Sequence, residues 1–345
     1  MWKKIKIYRT PVFNRGSGSP FRLIINWLSF GVFGVIRSLF IKEKFDKIFV
    51  YQPSPFTVAI PALFLKYRYN AKVFFWVQDI WPETLTAAGG IRNKVILSII
   101  SSFVKFTYNR CEMILVQSKA FISNIRKFGI DNNKIIYFPN STEEFYKPIK
   151  KDKHIDKLLP DGPKLIFAGN IGEAQSFDTL INSALIVKEK GHKINWIILG
   201  DGRKRKYAEK KCKELGLHKN FIFLGAFPSE MMPNYFSCAD ALIVSLKNQP
   251  IFHLTIPNKV QSYLACGKPI IASLSGEGAK CIDESESGFV AEPENEIILA
   301  KKIIDFLLLN KNEKKKLGLN ARKYYLKQFD LNILIEKLLK IFEND

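Results

Sequence analysis

The strongest constraint on the fold is a regular alternation of short apolar runs with longer amphipathic stretches. This alternation is typical of a mostly parallel sheet whose strands are joined by helices. The runs with strand character cover residues 47–52, 72–77, 113–117 and 134–138 in the first half, and 164–168, 195–199, 220–224, 241–245 and 269–273 in the second. The sequence therefore predicts an α/β fold.

The pattern is interrupted once, between 139 and 163, by turn residues and by alternating Lys and Asp. A chain of 345 residues also exceeds the usual size of one domain, roughly 250 to 300 residues. We therefore predict two Rossmann-like domains, over 1–145 and 164–325, joined by a linker over 146–163. A C-terminal helix over 326–345 is expected to return to the first domain.

The positive charge is concentrated in the first half of the chain. Residues 1–150 contain 23 Lys and Arg against 8 Asp and Glu, whereas residues 151–345 contain 30 against 24. Such a field attracts anionic lipid headgroups, phosphorylated substrates or nucleic acid. A general richness in lysine would explain the total of +21 but not the asymmetry. A nucleic-acid partner is disfavoured, because no recognisable binding module or exposed basic helix stands out.

The cysteines and the N-terminal segment favour a cytoplasmic protein. The five cysteines are odd in number, widely spaced and without a CxxC pair, which predicts reduced, buried thiols. Residues 1–12 mix lysines with isolated apolar residues and show no cleavage site of the signal-peptide type. Export is therefore not expected.

The most apolar stretch covers residues 23–36 and is interrupted by two polar residues. It falls short of the ~20 residues that span a bilayer. One interpretation is a buried helix. The other is a helix that lies in the membrane interface, with Trp27, Phe30 and Phe33 as anchors.

The segment KLIFAGNIGEAQSFDTL, residues 164–180, predicts a strand, a glycine turn and a helix with Ser176 at its N-cap. Gly169 and Gly172 allow the backbone to approach a phosphate, and the helix N-terminus offers unpaired N–H groups. We predict a diphosphate cradle here, with an ordinary turn as the alternative. A second turn, Gly200 to Gly202, precedes a basic cluster whose cations could meet phosphate oxygens or form a solvated helix face.

A third segment, residues 255–273, predicts a helix with Pro257 at its first position and Gly267 at its end. Its N-terminus should point at the same crevice, because ligands of open α/β sheets bind outside the carboxyl ends of the strands. Lys259 in the first turn is unfavourable for the helix dipole. We therefore predict that Lys259 compensates a bound anion.

In the first domain, the segment FFWVQDIWPETL places Gln78, Asp79 and Glu83 after a buried strand. Carboxylates at this end of a strand face the crevice, where they can orient or deprotonate a substrate hydroxyl. The alternative roles are a helix cap for Asp79 and support of the helix for Glu83.

These motifs together resemble a known family. In order and spacing, the chain from about residue 5 onward is similar to family 4 glycosyltransferases in the segments FWVQDIWPE, VQSKAF, YFPNSTEEFYKP, FAGNIGEAQ, GDG, FLGAFP and IPNKVQSYLACGKPIIAS. The resemblance is greatest to the branch that builds bacterial surface polysaccharides such as O-antigen and capsule. That branch includes WbuB-like N-acetylfucosamine transferases.

The resemblance implies a GT-B fold, with two Rossmann-like domains facing one cleft, and a retaining transfer that needs no metal ion or other cofactor. The donor would be a UDP-sugar held by the second domain. The acceptor, held by the first, would be a polyprenyl-diphosphate-linked glycan on an anionic membrane surface. The enzyme would then lie in the cytoplasm as a peripheral protein on the inner face of the cell membrane.

The family motifs assign the site residues. Asp79 and Glu83 would be catalytic. The donor would be bound by Gly169, Asn170, Gly172, Gly200, Lys206, Pro257, Asn258, Lys259 and Ser262. Several positions depart from the usual family pattern: Ser262 and Leu254 stand where many members have paired glutamates, Asn170 and Gln175 stand near the usual Arg and Lys, and Gln78 replaces a frequent His. We read a divergent subfamily.

The chain opens with KIKIYRTPVF, which looks like the second strand of the family. We therefore expect the first strand and its glycine loop to be missing from the first domain, with Gly16 and Gly18 as poor substitutes.

Three other functions remain as alternatives to a glycosyltransferase. They are a sugar-nucleotide epimerase of similar fold, an inactive truncated relative that acts as a scaffold, and an oxidoreductase. The last is weakest, because no GxGxxG follows a strand with an acidic residue ~20 positions on.

Overall fold

The computed structural model describes residues 5–14, 16, 20–89 and 93–343. The chain divides into two compact units, Met1–Phe138 and Pro139–Asp345. The division lies ahead of the predicted boundary at 145. Each unit is built on its own parallel sheet, so the predicted α/β fold is confirmed.

The first unit contains a four-stranded parallel sheet in the order β1-β2-β3-β4. Its strands are β1 (Lys47–Gln52), β2 (Lys72–Val77), β3 (Met113–Val116) and β4 (Ile135–Tyr137). Its helices are α1 (Pro20–Leu39), α2 (Ala59–Tyr69), α3 (Glu83–Gly89), α4 (Lys94–Arg110) and α5 (Ala120–Arg126). The strands lie in the sheet in the same order as in the sequence, because each connection places the next strand beside the previous one.

The predicted strand at KIKIYRTPVF is wrong for the part that the structure describes. Ile5 forms an isolated bridge and residues 6–14 adopt no regular structure. The segment lies instead against α1, where the Phe13 amide donates to Ser29 Oγ at 3.1 Å and its carbonyl accepts from Asn26 Nδ2 at 2.6 Å. Polar side chains of α1 satisfy this backbone in place of a neighbouring strand. Lys4 and Gly18 lie outside the described residues.

The second unit contains a six-stranded parallel sheet in the order β10-β9-β8-β5-β6-β7. Its strands are β5 (Lys164–Ala168), β6 (Asn195–Leu199), β7 (Phe221–Gly225), β8 (Ala241–Ser245), β9 (Ile270–Ser273) and β10 (Gly288–Ala291). Its helices are α6 (Lys153–Leu158), α7 (Phe177–Glu189), α8 (Arg205–Glu214), α9 (Met232–Ser237), α10 (Pro250–His253), α11 (Asn258–Ala265), α12 (Glu277–Glu284), α13 (Glu296–Leu308), α14 (Lys311–Gln328) and α15 (Leu331–Glu343). Strand β10 was not predicted.

Apolar clusters cover both faces of this second sheet. Alternate residues of β5 face opposite ways, so Ile166 belongs to one cluster while Leu165 and Phe167 belong to the other. Parallel strands covered on both faces need apolar residues at every position. This requirement explains why the strands read as continuous apolar runs in the sequence.

The predicted linker is part of the second unit. Within 146–163, Asp152 caps helix α6 by accepting from the amides of His154 and Ile155. Ile155 and Leu159 are buried in the core of the unit. Helix α15 is also counted with the second unit, and its return to the first domain stays a prediction.

The cysteines, all within the described part of the chain, are buried, and none forms a disulfide. Burial raises the pKa of the Cys111, Cys212 and Cys266 thiols to about 12, well above the range of a reactive cysteine. The expectation of buried thiols is confirmed.

Candidate functional site

Helix α11 begins beside the loop that follows β5. The sequence predicted Pro257 as the first helical residue, but it is the N-cap and the helix begins one residue later. Its side chain has no oxygen that could accept a hydrogen bond from the amides of the first turn. Tyr263 fixes the helix, because its hydroxyl accepts from the Ala168 amide at 3.1 Å and donates to the Ile243 carbonyl at 3.4 Å. The uncapped N-terminus is therefore held at the carboxyl end of β5.

Lys259 places a buried cation at this point. Its Nζ is shielded from solvent and has no hydrogen-bond partner among the described residues. It lies 3.7 Å from the centroid of the Phe167 ring, and 2.9 Å from where a Cβ on Gly169 would lie. Burial lowers its pKa from 10.5 to about 7. The first and third predicted segments thus meet at the Lys259 ammonium.

Three amides of the glycine loop after β5 donate within the protein. The Gly169 amide donates to Leu199 O and the Ile171 amide to Asp201 O, each at 2.8 Å. The Gly172 amide donates to Gln175 Oε1 at 3.1 Å. The Gly169 and Ile171 amides are occupied because the loop continues the pairing of β5 with β6. The diphosphate cradle at this loop and at the N-terminus of α7 stays a prediction.

The glycines are needed for close packing of two loops. A Cβ on Gly200 would lie 1.9 Å from Gly169 O, and one on Gly202 would lie 2.4 Å from Ile171 O. A Cβ on Gly172 would lie 2.4 Å from Asn170 Nδ2, which places the Asn170 side chain between the loops. Ser176 occupies the predicted N-cap of α7, but its side chain makes no capping hydrogen bond.

The basic cluster comprises Arg203, Lys204, Arg205 and Lys206, and two of these four cations, Lys204 and Arg205, are paired with carboxylates. Lys204 lies 2.7 Å from Glu173, and Lys247 also binds Glu173. These hydrogen bonds, that of Lys204 first, lower the pKa of Glu173. Arg205 binds Glu209 at 2.8 Å. The predicted donor ligand Lys206 is exposed on α8, so its role stays a prediction.

Sequence reasoning missed Glu173 and Lys247, because they are 74 residues apart and only the fold brings them together. It did assign Ser262, whose donor-binding role stays a prediction. The Ser262 hydroxyl donates to the Lys259 carbonyl at 3.1 Å, within its own helix. Asn258, the first residue of α11, is exposed at the helix N-terminus.

In the first unit, Asp79 follows the end of β2 and is half-buried. Glu83 is the first residue of α3. Its Oε2 is buried and has no hydrogen-bond partner in the described part of the chain. Burial, with further contributions from Cys111 and Glu83, raises the pKa of Tyr108, which places the Glu83 carboxylate near that ring.

Three buried glutamines lie at the carboxyl ends of β1, β2 and β3. The main-chain amide of Gln78 donates to the main-chain carbonyl of Gln52 at 3.0 Å. The side-chain Nε2 of Gln117 donates to the main-chain carbonyl of Gln78 at 2.5 Å. All three side chains are nearly inaccessible. Only Gln78 was singled out from the sequence, although each glutamine is the first polar residue after an apolar run.

The second unit contains a region of established family. Residues 149–324 match the family described as Glycosyl transferases group 1. The chain belongs to the group 1 glycosyl transferases. Since the match covers both Gly169 and Lys259, the crevice described above is part of the family domain.

This group 1 glycosyltransferase has curated relatives at low identity. It is 23% identical over 251 residues to the probable glycosyltransferase WbjE of Pseudomonas aeruginosa, across 69% of this chain and 60% of that protein. It is 22% identical over 352 residues to the putative colanic acid biosynthesis glycosyl transferase WcaI of Escherichia coli, across 98% of this chain and 83% of that protein. The match thus spans less than two thirds of WbjE.

Among solved structures, the group 1 glycosyltransferase resembles Anabaena Alr3699/HepE in complex with UDP, with a TM-score of 0.72 at 14% identity. The likeness covers 96% of this chain and 84% of that protein. At this identity the likeness shows the fold alone. The predicted GT-B fold and the predicted enzyme class, a glycosyltransferase, are confirmed.

Proposed function

We propose that this enzyme transfers a sugar from a UDP-sugar to a lipid-linked glycan during bacterial surface polysaccharide synthesis. The observation that carries the proposal is the shielded ammonium of Lys259, which finds no hydrogen-bond partner in the described part of the chain and lies at the uncapped N-terminus of α11. A diphosphate fits this place, because helix N–H groups and a lysine both favour negative charge. WcaI is named for colanic acid biosynthesis, and the HepE structure contains UDP, which supports the substrate class.

The reaction would proceed by stabilisation of the leaving diphosphate. The bond between the anomeric carbon and the phosphate oxygen breaks as the acceptor hydroxyl oxygen attacks the same face, so the configuration is retained. Lys259 and the first amides of α11 stabilise the charge that develops on the diphosphate. A phosphate oxygen takes the acceptor proton, and Asp79 orients the acceptor.

The sugar is N-acetylated or deoxy, and no metal ion or other cofactor takes part. The acceptor is a polyprenyl-diphosphate-linked glycan, which places the enzyme in the cytoplasm at the inner face of the membrane. A surplus of cations in residues 1–150 supports this location, because anionic headgroups attract positive charge. The WbuB-like choice of N-acetylfucosamine is part of the same proposal.

Nucleotide binding tests the donor site. We expect UDP, but not GDP or ADP, to raise the Tm in the presence of EDTA, with about 2.7 kcal/mol of stabilisation at a hundredfold excess over Kd. Lys259→Met should abolish the shift. The matched control is Lys280→Met, since Lys280 is exposed and paired with Glu277 at 3.0 Å. An unchanged shift in Lys259→Met would remove the phosphate role of this lysine.

Product analysis tests the reaction. With a labelled UDP-sugar and a polyprenyl-diphosphate primer, we expect label in the lipid fraction and free UDP. Conversion of the UDP-sugar without a primer would instead identify an epimerase. UDP binding without any turnover would identify a silent relative.

A further inference from the structure

Helix α1 is oriented with its polar side inward. Asn26, Ser29 and Ser38 on its inner face are buried. The outer face carries Ile24, Leu28, Val32 and Ile36, which are 40% to 56% exposed. Residues four apart lie on one face of a helix, so these four side chains form one continuous stripe. A surface helix in water has the opposite arrangement.

Close packing fixes this orientation. Gly31 and Gly34 lie against α2, where an added Cβ would come within 2.7 Å of Ile60 and 3.1 Å of Pro61. Small residues at a helix contact allow this approach. Thr57 Oγ1 donates to Trp27 O and an Arg68 amino group donates to Ser38 O, each at 2.8 Å. Rotation that buried the aliphatic stripe would break these contacts.

The side chains that the sequence offered as interfacial anchors are less exposed than the aliphatic stripe. Trp27, Phe30 and Phe33 are half-buried. Trp27 packs edge-on against Trp81 at 5.3 Å, and Phe33 lies 6.0 Å from the Phe13 ring. The aromatic side chains stabilise the inner surface of α1, and the aliphatic stripe faces outward.

The exposed charges beside the stripe are mainly cationic. Arg37, Lys42 and Lys44 are exposed at and beyond the C-terminal end of α1, whereas the acidic residues there are Asp46 and Glu43, and Glu43 binds Lys6. The sequence predicted that the apolar stretch is too short to span a bilayer, but α1 is longer than that stretch, and by length and composition Arg22–Leu39 could cross a membrane. A crossing would, however, remove α1 from its packing against α2. An apolar stripe next to cations, on a helix held at the protein surface, is typical of a helix that lies in the membrane interface.

We propose that the outer face of α1 inserts into the surface of an anionic bilayer, with the aliphatic stripe among the acyl chains. Arg37, Lys42 and Lys44 then contact the anionic headgroups. This inference deepens the proposed function, which places the acceptor in a membrane. A second copy of the chain fits less well, because four side chains are small for a stable dimer interface, and two strongly basic units repel each other.

Vesicle binding tests the surface. The wild-type enzyme should co-sediment with vesicles of phosphatidylglycerol and phosphatidylcholine. Leu28→Asn/Val32→Asn should weaken this binding at least tenfold. The matched control is Leu308→Asn/Leu319→Asn, at two exposed leucines of the second unit. Equal vesicle binding by the stripe variant and the wild type would overturn the proposal. A variant that binds vesicles normally but no longer forms a dimer would also overturn it, in favour of a second copy of the chain.

The cations are tested separately. Lys42→Gln/Lys44→Gln should reduce binding to anionic vesicles about fivefold per lysine, since each contributes about 1 kcal/mol near the surface. Binding unaffected by these changes or by the phosphatidylglycerol content would overturn the anionic part. The UDP-induced Tm shift of each variant distinguishes the two proposals. A preserved shift without vesicle binding would reject the membrane surface and leave the donor site in place.

Discussion

At the scale of single residues, Lys259 determines how the donor site responds to pH. Burial holds its pKa at about 7 in the ligand-free enzyme. A bound diphosphate raises that pKa, so UDP binding above pH 7 takes up a proton. We expect the logarithm of the association constant to fall with a slope near −1 above pH 7, measured by titration calorimetry in buffers of different ionisation enthalpy. Lys259→Arg should show no slope, because arginine stays charged, and a slope equal to wild type would contradict the assignment.

The same lysine predicts that the stability of the ligand-free enzyme rises with pH, whereas its affinity for UDP falls. Its pKa is lower in the folded state than the usual 10.5, so the unfolded state binds more protons between pH 7 and 10.5. The free energy of unfolding of the ligand-free enzyme should therefore rise across that window. Lys259→Met should be about 1–3 kcal/mol more stable than wild type at pH 6 in urea denaturation. A destabilised variant with a parallel pH profile would show that the ammonium is not desolvated.

Gly200 tests the packing of the two loops. It has φ +144°, and an alanine Cβ would lie 1.9 Å from Gly169 O. We expect Gly200→Ala to lower the free energy of unfolding by more than about 3 kcal/mol. The control is Gly191→Ala, where φ is +83° but no atom lies within 4 Å. That change should cost about 1 kcal/mol, and equal losses would contradict the steric explanation.

The sequence could predict that Lys259 meets Gly169, because carboxyl ends of parallel strands share one edge of a sheet. It could not predict which cations are available. Lys204 and Lys247 converge on Glu173 through rotamers and a long-range contact, neither of which follows from a local pattern. The side-chain direction of Ser262 is undetermined in the sequence for the same reason.

At the scale of elements, one hydroxyl ties α11 to the sheet. Tyr263→Phe would leave the Ala168 amide without its acceptor, at a cost of about 1–3 kcal/mol. We also expect weaker UDP binding, because the helix N-terminus loses its fixed position. Urea denaturation and titration calorimetry measure both effects. Tyr235→Phe, at another buried tyrosine of the same unit, should change neither; loss of stability in both variants would point to packing instead.

Apolar runs located the strands well, since strands covered on both faces admit few polar residues. Strand β10 escaped prediction because Gly288–Ala291 is short and begins with glycine. The opening segment has strand-like alternation, but Phe13 pairs with side chains of α1. Alternation alone does not distinguish a strand from an extended segment bound to a helix.

At the scale of the whole molecule, the boundary after Phe138 predicts where the chain can be cut. A fragment of residues 139–345 should fold cooperatively and bind UDP within a few fold of the full chain, because Gly169, Phe167 and Lys259 all lie in it. A fragment of residues 164–345 loses Ile155 and Leu159 from the core. It should be less stable or aggregate, as judged by circular dichroism and calorimetry. Equal stability of the two fragments would restore 146–163 as a linker.

The five buried cysteines give this chain an unreactive background for labelling. A cysteine introduced by Leu28→Cys would be an exposed thiol among shielded ones. The emission maximum of an environment-sensitive fluorophore attached there would shift as α1 leaves water, so binding of the enzyme to its bilayer could be followed in real time. Because the native thiols are buried, the introduced cysteine could be labelled at a single site without removing the native cysteines.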